Sequence, residues 1–170
     1  DAGVSRGREL TVFGILAVAT VVLWALVPTY PNYDAYYHLV WGRELLDGVT
    51  PSFQAYAAPT EHPLYVAICA VLGAVFGTDA DRVLVLLTSL SLVALVWACY
   101  RLGRTCFGEW PGRAGALFAG SSFALLLFAA KAYVDVPFLA LVLWAAAVEA
   151  QRPAVRAARA PSGGGMLPMG

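Results

Sequence analysis

Apolar positions in this chain gather into long runs, and polar positions fall in short clusters between them. Four runs approach the roughly twenty apolar residues that a membrane helix needs: residues 10–27, 83–100, 114–131 and 136–151. The last of these is the shortest, and reaches its length by snorkelling its arginines at the end. A fifth run, residues 63–76, has the length of an interfacial or re-entrant segment. Between the first two long runs lies an aromatic, polar stretch, Tyr30-Pro31-Asn32-Tyr33-Asp34-Ala35-Tyr36-Tyr37-His38. Asn32 suits an N-cap and Gly48 a C′ position, which predicts a surface helix over 33–47. A second surface helix is predicted over 63–76, with Pro63 in its first turn.

Arginine placement sets direction, because Lys and Arg of short loops collect on the cytoplasmic side. Arg6 and Arg8 put residues 1–9 inside. If 63–76 crossed the membrane, Arg101, Arg104 and Arg113 would lie outside, against the rule. If 63–76 stays at the outer surface, loop 28–82 is external, with six acids (Asp34, Glu44, Asp47, Glu61, Asp79, Asp81) against Arg43 and Arg82. Every basic cluster then obeys the rule. The segment Lys131 to Asp135 becomes external, and residues 152–170 become a cytoplasmic tail, Ala-, Arg-, Gly- and Pro-rich and expected to be disordered or a truncation end. The expectation is an all-α integral membrane protein with about four transmembrane helices and two juxtamembrane helices in the first external loop.

Composition agrees: of 170 residues, 60% are hydrophobic and 13% charged, and the mean hydropathy is +0.70, outside the balance of soluble domains. The formal net charge is zero, which leaves no basic field for nucleic acid. Cys69, Cys99 and Cys106 have no metal-ligand spacing, and the first two read as small hydrophobes rather than a disulfide framework. Gly115 and Gly120 with Ser121 and Ser122 read as a small-residue packing face. Trp97, Phe118, Phe123, Phe128 and Trp144 read as core or lipid-facing residues. The chain begins without Met and reads as a fragment of a longer protein.

Candidate chemistry is concentrated in the external segments. On the 33–47 helix Asp34, Tyr37, His38, Trp41 and Leu45 share a face by spacing. Asp34 there is either a helix-terminus charge within an aromatic belt or a working carboxylate. His62 reads as a loop histidine or a ligand. Asp135 interrupts an otherwise apolar stretch, and is either one half of an exposed Lys131–Asp135 turn or an ion, proton or substrate site.

The order of these features resembles the GT-C class of membrane glycosyltransferases, in particular the N-terminal module of dolichyl-phosphate-mannose-type protein O-mannosyltransferases and aminoarabinose transferases. Asp34-Ala35-Tyr36-Tyr37-His38 follows the first span. Arg43-Glu44-Leu45-Leu46-Asp47-Gly48 is similar to that family's A-x-x-L-L-x-G helix, and Glu61-His62-Pro63-Leu64-Tyr65 to its H-P-P-L-Y, with Leu64 replacing the second proline. Arg101 to Gly108 resembles its R-R-L-F-G turn, and Tyr133-Val134-Asp135-Val136-Pro137 stands where the family has a second external aspartate. The resemblance implies transfer of a sugar, hexosyl or pentosyl, from a polyprenyl-phosphate donor to a glycan, lipid or protein acceptor, with inversion, at the external face of the plasma (inner) membrane. It implies Asp34 as general base and Asp135 as an orienting carboxylate. Tyr37, His38, Glu61, His62, Arg82 and Lys131 would contact substrate. A divalent cation remains open, since two carboxylates alone do not identify one. The missing later spans imply that the chain is inactive by itself. Two readings of other classes stand beside this one: a transporter or channel subunit with Asp135 as its proton or cation site, and a noncatalytic membrane assembly module.

Overall fold

The computed structural model describes the backbone of residues 2–159 and the side chains of residues 7–152. Seven helices follow in order: α1 Ala2–Leu26, α2 Tyr33–Leu46, α3 Pro63–Phe76, α4 Ala80–Phe107, α5 Glu109–Ser121, α6 Phe123–Ala130 and α7 Asp135–Arg159. A 3-10 turn, Gly77–Asp79, joins α3 to α4. No strand occurs among the described residues, and the protein is an all-α membrane protein.

Four columns stand side by side: α1, α4, the pair α5–α6, and α7. Long-range bonds give their directions. Trp24 near the end of α1 donates to the carbonyl of Arg82 at the start of α4 (2.8 Å), while Glu9 near the start of α1 meets Arg104 near the end of α4. These two helices are therefore antiparallel. Trp144 of α7 donates to the Ala94 carbonyl and Arg101 donates to Gln151, so α7 runs parallel to α4. At one end of the bundle lie Glu9, Arg101, Arg104, Glu109 and Arg113. At the other lie α2, α3 and the turn 131–134.

Two runs, Gly7–Leu26 and Pro63–Phe107, are long and apolar enough to cross a membrane, and the bent pair α5–α6 makes a third. The second run is not one rod. Tyr65 and Thr88 donate to the carbonyls of Ala132 and Ala129, three residues apart, so the chain folds back at Gly77–Asp79. Gly77 supplies the reversal with φ of 57°, in the left-handed region that favours glycine. Within that run α3, 14 residues long, measures about 21 Å, short of the roughly 30 Å hydrocarbon core. The 28 residues of α4 suffice alone. The fourth expected span lies within α7, whose 25 residues include Asp135, Glu149 and Arg152 and dilute its apolar stretch.

Residues 114–131 are not a single helix. The chain bends by 55° between α5 and α6, where Ser122 adopts an extended conformation and caps Leu125 while the Ser121 hydroxyl bonds back to the Leu117 carbonyl. Such serine back-bonding favours bends. The small-residue face also lies elsewhere than expected. A Cβ on Gly115 would meet nothing, whereas on Gly112 it would fall 2.7 Å from the Arg104 nitrogen and on Gly103 2.9 Å from the Gly112 Cα. Gly103 and Gly112, not Gly115 and Gly120, let α4 and α5 touch through their backbones. Trp97 stacks on Phe13 and meets Trp144 edge-on inside the bundle, while Phe118 and Phe123 are exposed to the surroundings. Helix α7 continues through Arg159, so residues 152–159 are helical; residues 160–170 of the expected tail lie outside the described residues. All three cysteines are free thiols.

Candidate functional site

The end of the bundle opposite the arginines is organised by Asn32. Its Oδ1 accepts the Ala35 N–H (2.9 Å), and it caps α2 as the sequence predicts. Its backbone N–H and its Nδ2 both donate to the carbonyl of Lys131, at 2.8 and 2.9 Å. Only one orientation of the amide serves both neighbours, which fixes the ring of contacts. A third tie comes from Tyr65, buried, whose hydroxyl donates to the Ala132 carbonyl at 2.8 Å. Ala132 is itself buried in the left-handed region, φ 56°, a conformation that a non-glycine residue holds only under surrounding constraint. Three hydrogen bonds thus lock the turn after α6 against the start of α2 and α3.

Beneath this rim lies an aromatic cluster. The buried His38 ring is stacked on His62 (centroids 5.4 Å, planes 21° apart) and meets Trp41 and Tyr65 edge-on. Tyr37 joins Tyr33 to Trp41, and Phe53 covers Trp41 from the irregular part of the loop. His38 Nδ1 lies 2.6 Å from the Asp34 carbonyl. A carbonyl only accepts, so Nδ1 carries the proton and Nε2 of the neutral ring is an acceptor. Burial holds the His38 pKa below the ordinary histidine value, and His62 beside it acts in the same sense. Nε2 of His38 and Nε1 of Trp41 are both buried without a protein partner. Burial also pushes the Tyr65 hydroxyl well above its ordinary range and the Cys69 thiol up to about 12, so neither is a nucleophile near neutral pH.

Of the predicted residues, Asp34 is exposed in the first turn of α2, and its carboxylate is not the cap, because Asn32 holds that role. Asp135 is exposed at the first position of α7, four residues beyond the carbonyl that Asn32 binds. Lys131 does not pair with Asp135; its Nζ lies 3.4 Å from the centre of the Tyr30 ring, a cation–π contact. Glu61 is exposed and His62 half-buried at the entry to α3. Tyr37 and His38 belong to the packed cluster. Arg82 is drawn away towards α1, lying over the Trp24 ring at 5.2 Å and donating to the Trp24 carbonyl. Tyr36 reaches Asp81 across the same edge at 3.5 Å. Among the described residues no three His, Cys, Asp or Glu side chains converge to hold a metal.

The sequence reading missed two things. Asn32 was read as a cap only, although a polar residue between Pro31 and a helix start has an amide to spare. Glu9 lies in the stretch 1–9 that the sequence assigns only to the cytoplasmic terminus. It is buried, accepts from Trp97 Nε1 at 2.6 Å, and faces Arg104 at 3.2 Å and Arg101 at 3.6 Å. Those partners lie 88 or more residues away in sequence.

A family model described as dolichyl-phosphate-mannose-protein mannosyltransferase matches residues 59–163, from the loop before α3 through α7. No curated protein and no solved structure matches the chain.

Proposed function

Because the chain belongs to the dolichyl-phosphate-mannose-protein mannosyltransferase family, a family of membrane glycosyltransferases, we propose that the rim made by α2 and the 131–135 turn is where a polyprenyl-phosphate-linked sugar meets its acceptor. The observation that carries this reading is the pair of hydrogen bonds that Asn32 donates to the Lys131 carbonyl. It sets Asp34, two residues beyond Asn32, and Asp135, four residues beyond Lys131, at the same end of the bundle. Asp34 is the general base. Its carboxylate takes the proton of an acceptor hydroxyl or amine as that atom bonds to the anomeric carbon. The bond from that carbon to the phosphate oxygen breaks, and the phosphate leaves with the electron pair, so configuration inverts. Base assistance of this kind is worth roughly a hundredfold to ten-thousandfold.

His38 acts through Asp34 rather than on substrate. Its Nδ1–H holds the carbonyl of Asp34 and sets the first turn of α2. Lys131 and His62 are the groups at this rim able to meet a leaving phosphate with positive charge or a donated proton. Asp135 orients the acceptor. The face of action is the external one, in keeping with the arginines at the opposite end.

The test is transfer from a polyprenyl-phosphate-mannose donor by membranes carrying the whole enzyme. Asp34→Asn should lower the turnover by at least about a hundredfold at equal expression with KM little changed. Undiminished turnover in Asp34→Asn overturns the assignment of the base.

A further inference from the structure

Helix α1 rests on α4 and on neither α5 nor α6. Between α1 and the α5–α6 column the bundle therefore leaves a gap whose floor is α4. Two cavities occupy it, one of about 840 Å³ and one of about 400 Å³. They share Leu16, Val96 and Gly120, so they adjoin end to end as a channel along the bundle. Over most of its length the lining is aliphatic. At one end only it becomes charged, where Arg8 and Arg113 stand on opposite walls with Glu9 and Glu109.

Both carboxylates at that end already have cationic partners. Glu9 faces Arg101 and Arg104, and Glu109 takes Arg113 and the Tyr100 hydroxyl. Arg8 and Arg113 line the mouth against Glu9 and Glu109, and Arg101 and Arg104, which pair with Glu9 from outside the lining, bring this end to four arginines against two acids and a net positive charge. An apolar channel with a basic mouth at one end has the polarity of a single amphiphile, with an anionic head and hydrocarbon tails. A packing helix would have no use for the charge, whereas basic pockets between membrane helices suit anionic lipid headgroups. Each cavity taken singly lies in the range of sites built for one small ligand, about 300–1,000 Å³.

We propose that this channel is a site for an anionic phospholipid of the leaflet on the arginine side, with its phosphate between Arg8 and Arg113 and a chain passing Gly120. The site is separate from the α2 rim and does not depend on the reaction proposed there. Gly120 is the natural place to close it. A Cβ there would stand 3.6–3.7 Å from Val96 methyls, ordinary contact, so a larger side chain grows into the channel without striking backbone.

The chain, purified and exchanged into mixed micelles of phosphatidylglycerol and phosphatidylcholine, is examined by native mass spectrometry for retained lipid. Wild type should keep one phosphatidylglycerol in preference to phosphatidylcholine by about tenfold or more, as expected for two arginines near a phosphate. Gly120→Leu should lose the retained lipid, and Leu16→Trp should do the same from the opposite wall. Gly115→Leu, outside the channel, should keep it. Arg8→Gln with Arg113→Gln should keep a lipid but lose the preference. Equal retention of both lipids by wild type, or unchanged retention in folded Gly120→Leu and Leu16→Trp, overturns the proposal. A lipid-free dimer in wild type also overturns it, and assigns the channel to a second copy of the chain.

Discussion

Asn32 and Lys131, 99 residues apart, are joined by two hydrogen bonds to one carbonyl, from the backbone N–H and from the side-chain amide of Asn32. The same side chain caps α2. Local helix initiation and the docking of a distant turn therefore depend on one residue. Asn32→Ala removes the cap and half of the tie, and should cost about 1–2 kcal/mol. Thermal unfolding in detergent should fall by roughly 3–6 °C. Asn32→Ser restores a cap without the amide, and should recover about half of the loss. Full recovery would mean that the bond to Lys131 contributes nothing.

Tyr65 is the second tie. Its buried hydroxyl is matched to the carbonyl of a residue held in a left-handed conformation. Tyr65→Phe keeps the ring contacts with His38 but leaves the Ala132 carbonyl without that donor, at about 1–3 kcal/mol. Because the loss loosens the 131–135 turn, turnover should fall more than melting temperature alone predicts. Enzyme assays compared at a temperature well below both melting points separate the two effects.

Much of this architecture is legible along the sequence. The apolar runs became α1, α4 and α7, Asn32 became the cap it resembles, and α3 spans the residues that Pro63 and the following apolar run predicted. What escaped were relationships between distant residues. No local pattern says that Ser122 breaks an apolar run into α5 and α6, because a serine is tolerated within a membrane helix as readily as it bends one. No spacing pairs Gly103 with Gly112, since the turn at Gly108 lies between them. In the candidate site, the residue types were readable, but Arg82 turned to Trp24, and His38 turned inwards to pack on His62. Aromatic neighbours decided both, and Trp24, His62 and Tyr65 among them come from distant parts of the chain.

Glycine contacts give a paired test. A Cβ on Gly42 of α2 would lie 2.6 Å from the Ala70 nitrogen and 2.8 Å from the Cys69 carbonyl carbon, both backbone atoms of α3. Neither can swing aside. Gly42→Ala should push α2 off α3 and cost about 1–3 kcal/mol or more. Gly115→Ala meets empty space and should be neutral or mildly stabilising, by up to about 1 kcal/mol through helix propensity. Equal melting temperatures for the two variants would contradict the close approach of α2 and α3.

His38 sets a pH dependence. Its folded pKa lies below the unfolded value of about 6.5, because burial disfavours the charged ring. The unfolded chain therefore binds more protons below that value, and stability declines as pH falls through 6.5 towards the folded pKa. His62, stacked on the same ring, acts in the same sense on His38. His38→Asn keeps a donor near the Nδ1 position for the Asp34 carbonyl and removes the titrating ring. Its stability should be lower at pH 8 but nearly level between pH 7 and 5, where the wild type slopes. A parallel slope in the variant would place the titration elsewhere.

Glu9 ties α1 to α4 at the opposite end. It is buried under Trp97, with Arg101 and Arg104 about a third exposed. Glu9→Gln keeps an acceptor for the Trp97 N–H but withdraws the charge that faces both guanidinium groups. A fully buried pair broken this way costs about 3–5 kcal/mol, but solvent screens these arginines, which lowers the expectation to about 1–2 kcal/mol. Glu9→Leu also leaves Trp97 without its acceptor and should cost more by about 1–2 kcal/mol. The difference between the two variants in thermal unfolding isolates the tryptophan bond from the ion pairs. If they are equal, the Trp97 bond adds nothing to the ion pairs that Glu9 makes across α1 and α4.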